Sequence, residues 1–221
     1  MSSDDNRLVQ RLLANSGTLF SDELGIDIET NTPSPLFRWL CAALLMSAPI
    51  SHRAALEAAG ALSEAGWTTA GHMAESSWQD RVDALNRAGY GRFDESTATM
   101  LGDNADRLLK EYDGDLRNLR SAAKKSPETE RTRLKKFKGI GDVGADIFFR
   151  EVQIVWPEHF PLLDGKTCKA ARRLGLPDTP EALVDMVGRD AFPRLAAALV
   201  RADLDGIDAD DLLGPNGEVQ S

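Results

Sequence analysis

The amino-acid sequence predicts an all-α fold, and three observations carry the prediction. Apolar residues recur at helical spacing along nearly the whole chain. No run alternates apolar and polar residues as a half-buried strand does, and the turns between periodic stretches are short, which favours a compact helical array. The 221 residues suffice for one sizeable domain or two interlocked lobes. A composition of 42% hydrophobic and 28% charged residues is that of an ordinary soluble globular chain, neither disordered nor membrane-embedded.

Taken in order, Asn6–Ala14 carries Leu8, Val9, Leu12 and Leu13 as a helix-period stripe. Gly17, Gly25 and Thr30–Pro35 punctuate a long connection. Pro35–Ser47 is apolar on nearly every side, which predicts a central, buried helix. Ser51 is placed to cap a helix over His52–Ala65 that stops at Gly66. Ser77–Ala88 presents Trp78, Val82 and Leu85 before Gly89, and Arg92–Glu111 sets Met100, Leu101, Ala105, Leu108 and Leu109 on one face. After Gly114, Asp115 opens a helix toward Lys125 with Leu116 and Leu119 inward. Ser126-Pro127 joins an N-cap to a proline in the first turn and opens Glu128–Phe137. Asp142–Val155 and Gly165–Leu174 follow; the β-branched and aromatic residues of Ile147–Phe149 and Val152–Val155 continue a helical stripe. Thr179-Pro180 and Asp190 open a last pair, Glu181–Val187 and Ala191–Ala202, and the acidic tail Gly206–Ser221 reads as frayed. Trp39, Trp67, Trp78 and Trp156 have apolar neighbours and are expected in the core.

Several function classes fall away. The longest apolar run, Trp39–Ile50, is about half of the roughly 20 residues a membrane helix needs. The polar, acidic MSSDDNRL start lacks the basic and apolar regions of a secretory signal, which argues for a cytoplasmic chain. Cys41 and Cys168 stand far apart outside any C-x-x-C pair and read as two reduced thiols, too few for a four-cysteine iron–sulfur cluster. His52, His72 and His159 have no metal-ligand spacing, and no Gly-x-Ser-x-Gly or Ser-His-Asp pattern occurs. The Gly139–Gly141 G-x-G follows no strand, so it is not a dinucleotide fingerprint.

Charge is uneven. The net −9 opposes a nucleic-acid partner, yet Arg117–Arg173 holds 14 basic against 7 acidic residues, a local +7 that leaves −16 on the remainder. Such a run is often only a solvated face. It gains meaning from Leu134–Arg150, LKKFKGIGDVGADIFFR, where one periodic stretch ends, two glycines flank an apolar residue, and a second helix begins at once. Gly139 and Gly141 permit positive φ and close approach of another backbone. Ile140 can tuck between the helices while Gly144 and Ala145 keep them near each other. The N–H groups of the turn and of the next helix's first turn can hold a phosphate, with Lys135, Lys136 and Lys138 around it. Taken alone, the same stretch also suits a plain helix–turn–helix connection.

Followed by Pro161-Leu-Leu-Asp164-Gly-Lys-Thr, the hairpin resembles the helix–hairpin–helix and catalytic-aspartate segment of the endonuclease III superfamily of DNA glycosylases. Pro35–Ser47 is similar to the buried helix that opens that family's six-helix module, and Gly89-Tyr90-Gly91-Arg92 falls where its loop meets DNA. The resemblance spans residues 30–175. It implies a two-lobed helical array: a six-helix module over 34–155 that contains the hairpin at 134–150, and a second lobe from 1–33 and 156–221. It also implies a monomer that binds damaged double-stranded DNA and flips a nucleotide into an interlobe pocket. Asp164 would then activate water or stabilise the sugar's developing positive charge. The alternative for Asp164 is a simple N-cap. Lys136, Lys138, Gly139, Gly141, Val143, Gly144 and Lys166 would contact the DNA backbone, and Tyr90 and Arg92 are wedge candidates for the gap a flipped base leaves. The hairpin carbonyls leave room for a monovalent cation.

The sequence also departs from the family. Members that cleave the strand carry a lysine two residues beyond the second hairpin glycine; here that position is Val143, which is no nucleophile. The resemblance therefore implies a monofunctional glycosylase without lyase activity, and Lys166 is read as a phosphate contact more than a substitute nucleophile. The four-cysteine cluster loop is missing, and Pro49 stands near a position often held by glutamine, which puts oxidised-pyrimidine specificity in doubt. Two other classes stay open: a catalytically inactive DNA-binding descendant, and a helical protein-interaction module.

Overall fold

The computed structural model describes residues 3–214, which form helices and connecting turns with no strand. In chain order the helices are α1 (Ser3–Ser16), α2 (Phe20–Glu23), α3 (Pro33–Met46), α4 (His52–Glu64), α5 (Ala70–Glu75), α6 (Trp78–Arg87) and α7 (Asp94–Tyr112). Then come α8 (Leu116–Ala122), α9 (Pro127–Leu134), α10 (Asp142–Val152), α11 (Gly165–Arg173), α12 (Pro180–Asp205) and α13 (Ala209–Leu213). The all-α class expected from the sequence is the class observed. No described helix is long and apolar enough to cross a membrane.

Local chemistry explains the boundaries. Ser51, Ser77, Asp115 and Ser126 each accept a hydrogen bond from a backbone N–H in the first turn of the helix they open, satisfying donors that have no partner inside the helix. The last predicted pair is one stretch broken at Gly188, whose φ of 78° and ψ of 170° no helix accommodates. The tail is more ordered than expected: Asp208 and Asp211 form a reciprocal capping box that starts α13. The remainder of that tail, 215–221, lies outside the described residues.

Two apolar clusters organise the packing. The larger surrounds α3, where Trp39, Leu36, Phe37 and Leu45 meet Phe148, Phe149 and Val152 of α10 and Trp156. The Trp39 indole N–H donates to the Phe148 carbonyl at 3.1 Å, so the bulky ring is buried without losing its polar contact. The smaller cluster joins opposite ends of the chain, Leu8, Val9 and Leu12 of α1 with Ala171, Leu174, Phe192 and Leu199. Within 1–33, α1 belongs to the smaller cluster, whereas Leu19, Phe20, Ile26 and Ile28 pack into the larger one. Buried Glu151 fixes that junction by accepting from the N–H groups of Phe20 and Ser21 at 2.8 and 3.0 Å. Burial pushes its carboxyl above the ordinary range, opposed by those same hydrogen bonds. Trp78 is the exception among the tryptophans: at the first position of α6 it is 43% exposed and bonds Thr99, while Val82 and Leu85 supply the buried face.

Candidate nucleic-acid interface and cleft

The hairpin is built as the sequence suggests, with one correction. Leu134, Phe137 and Ile140 are buried pegs that seat the α9–α10 turn on the larger core. Gly139 has φ +77°, the left-handed region that favours glycine, and a Cβ there would also press on the Leu44 and Met100 side chains. Gly141 needs no such freedom: its φ is −91° and a Cβ would meet nothing. At Gly144 a Cβ would come within 3.3 Å of Ile140 Cδ1, so the glycine leaves room for that side chain to tuck under the first turn of α10.

Asn104 on α7, which no sequence motif marks, clamps the turn from behind. Its side chain accepts from the Lys138 N–H at 2.7 Å and donates to the Lys138 carbonyl at 2.9 Å. Arg107 adds a bond to the Lys136 carbonyl. The carbonyls of Lys136, Phe137 and Lys138 thus all accept within the protein, and a cation at the hairpin would have to share them. The N–H groups of Gly139, Gly141, Asp142, Val143 and Gly144, in contrast, donate to no acceptor among the described residues. Unpaired amides at the start of an eleven-residue helix are donors that an anion could accept from.

The surrounding charge is partly neutralised. Lys135 pairs with Asp142 at 2.7 Å, Lys138 with Asp103 at 2.6 Å, and Arg131 with Asp146 at 2.7 Å. Lys135 and Arg131 hold the exposed Asp142 carboxyl below its ordinary range. Lys136 and Lys166 are exposed and enter no ion pair among the described residues.

Beyond the turn, Val143, Asp146, Ile147 and Arg150 share one face of α10 and line a cleft of about 350 Å³, within the size range of small-molecule sites. Met46 and Ile50 close one wall, Val200 and Leu204 of α12 another, and Asp164, Gly165 and Lys166 at the start of α11 complete it. Val143 is 60% exposed at the mouth. His52, which lies in no sequence motif, also borders the cleft, 3.5 Å from Asp205.

Asp164 lies in this cleft, but it is also the N-cap of α11. Its Oδ1 accepts from the Lys166 and Thr167 N–H groups at 2.9 and 3.1 Å. Oδ2 accepts from Thr167 Oγ1 at 2.9 Å and from Arg150 Nε at 2.7 Å. The side chains of Arg150 and Asp164 are only 4% and 1% exposed. Burial alone would raise the carboxyl's pKa; the adjoining guanidinium and the hydrogen bonds outweigh it and hold the pKa below the ordinary range. Arg150 was legible as part of the hairpin helix, but not as the partner of Asp164. Its i+7 spacing from Val143 was the available signal, since that puts both on one face.

Two candidates change place. Tyr90 is a core residue, 1% exposed, with its hydroxyl donating to the Leu45 carbonyl at 3.2 Å, so it does not stand at a surface as a wedge. Arg92 is exposed and lies over the Phe93 ring, 5.3 Å from its centroid, with no contact joining it to the cleft. Cys41 is buried in α3 and Cys168 sits on α11, both as free thiols.

No family model and no curated protein matches the chain. Among solved structures, a trapped covalent intermediate of endonuclease III with DNA, an estranged-adenine complex, aligns at 16% identity and a TM-score of 0.47, covering 74% of this chain and 71% of that one.

Proposed function

We propose that this chain is a helix–hairpin–helix DNA-binding protein that admits an extruded nucleotide to its cleft and hydrolyses the N-glycosidic bond of a damaged base. One observation carries the reading. The unpaired amides at the start of α10 and the cleft wall that ends at Arg150, the ion-pair partner of Asp164, belong to the same short helix. A phosphate seated on those amides would fix the duplex in register without reading sequence, as backbone contacts do. A nucleotide rotated out of the stack beside it would then meet a partly apolar cleft of nucleoside dimensions.

The electrostatics select a role for Asp164. A carboxylate with a depressed pKa and four donors is a poor proton acceptor but a permanent anion. It suits stabilisation of positive charge developing on the sugar as the bond to the base breaks, with water completing the substitution. Val143 at the mouth supplies no amine, so the reaction stops at an abasic site. In this reading the exposed Lys166 and Lys136 would approach phosphates.

The same four donors favour a second reading, a protein that binds a lesion without turning it over, because they satisfy Asp164 before any substrate arrives. Both are tested with duplexes carrying single deaminated, alkylated or oxidised bases. Glycosylase action predicts alkali-labile sites on at least one lesion, lost in Asp164→Asn while salt-dependent binding to the duplex backbone is retained. Salt-dependent binding without base release supports the second reading, and the absence of both rejects the two together.

A further inference from the structure

Arg150 is held in an unusual way. Its side chain is 4% exposed, and only Nε is committed, to Asp164 at 2.7 Å. Its two Nη groups donate to no atom among the described residues, although Arg150 lines the cleft. The stem of Arg150 is buried while its outer fork opens on the cleft without a protein acceptor, so two parallel donors are left for water or for a ligand that enters. Asp164 itself is pinned by Thr167 and two amides, so the fork cannot easily turn away.

We propose that Arg150 is the specificity-determining residue of the cleft, its Nη pair reading the edge of a base that presents two adjacent acceptors, such as N7 and O6 of a 6-oxopurine. The inference rests on the reading of the cleft as a nucleotide site and goes beyond it by assigning the base. A planar fork matches two parallel acceptors, and that pairing is the commonest specific arginine contact with a base. The walls favour a flat ring over a phosphate: Met46, Ile50, Ile147 and Val200 are apolar, whereas the exposed Lys166 stands at the rim where a backbone would pass. An adenine would bring its N6 donors against the donors of Arg150, so the arrangement rejects it while admitting the deaminated counterpart, hypoxanthine. Asp164 then acts as the positioning residue for the fork, in addition to its charge.

The test compares three duplexes that carry hypoxanthine, 7-deazahypoxanthine or a tetrahydrofuran abasic analogue at one position. Wild-type protein should bind the first about tenfold to a hundredfold more tightly than the second, the range that one bidentate contact commands. Arg150→Lys keeps a charge beside Asp164 but has no fork. It should bring that ratio close to one and leave affinity for the abasic duplex unchanged. Equal wild-type affinity for hypoxanthine and its 7-deaza analogue overturns the proposal, and this comparison stands even if the variant fails to fold. A preference that survives Arg150→Lys overturns it as well. An equal loss on all three duplexes would mean that the guanidinium holds a phosphate, again against the proposal. A wild-type protein with no salt-sensitive affinity for any duplex sinks the underlying reading and this inference with it. Strong binding without discrimination sinks the inference alone.

Discussion

Replacing Asp164 by asparagine isolates the ion pair at the heart of the cleft. The asparagine carbonyl oxygen can still accept from the N–H groups of Lys166 and Thr167, so the cap of α11, worth about 1 kcal/mol, is kept. What disappears is the charge facing Arg150, leaving a guanidinium with a 4% exposed side chain unpaired. Breaking a buried pair from one side costs about 3–5 kcal/mol. For a chain of this size that corresponds to a fall in Tm of about 6–20 °C. The pH dependence has a definite sign. The folded-state pKa of Asp164 lies below its unfolded value of 3.8, so the stabilisation is fully present above that value and is lost as pH falls through the folded pKa. Thermal melts of the wild type and the variant should therefore differ strongly at pH 7 and converge in acid below about pH 4. Equal Tm values at pH 7, or a gap that widens in acid, would refute the ion-pair argument.

Three further substitutions probe the frame around the site. Gly139→Ala forces a left-handed alanine into contact with Leu44 and Met100, and should cost about 2–5 kcal/mol in urea unfolding while weakening duplex binding through a displaced hairpin. A loss below about 0.5 kcal/mol, the scatter of neutral surface changes, would contradict the steric reading. Glu151→Ala strands the N–H groups of Phe20 and Ser21 and should cost about 2–6 kcal/mol, whereas Glu151→Gln keeps an acceptor and recovers part of the loss; identical denaturation midpoints for the two would count against the capping role. Lys136→Ala should reduce the slope of log affinity against log salt by about 0.9, the effect of one phosphate contact. Lys138→Ala should change it less, because Asp103 already neutralises that amine, and the reverse order would show that the charge map is wrong.

Much of the frame was legible in the chain. The apolar PLFRWLCAALLM stretch could only be a sheathed helix, and serines followed by a helical stripe marked four observed starts correctly when Asp115 is counted with them. The short helices α2 and α5 escaped notice because four and six residues give too little periodicity to read. Tyr90 and Trp78 were misplaced for opposite reasons: a turn residue can drop its ring into the core, and a helix's first residue can leave its ring outside. In the site, the hairpin pegs and the place of Gly139 followed from local spacing. The partners that decide its chemistry did not. Asn104 reaches Lys138 across 34 residues and Arg150 reaches Asp164 across 14, through a loop whose path no local pattern specifies. Composition likewise gave a basic middle, whereas the acidic partners Asp103, Asp142 and Asp146 neutralise much of it in place.

The claim that the hairpin delivers a nucleotide to the cleft has a direct optical test. A 2-aminopurine placed beside a hypoxanthine in duplex DNA is quenched by stacking and brightens when its neighbour leaves the helix. Emission should rise when the protein binds, fall back on raising the salt and stay unchanged on adding Gly139→Ala at the same concentration. Saturable binding that leaves the fluorescence at its stacked level would contradict it.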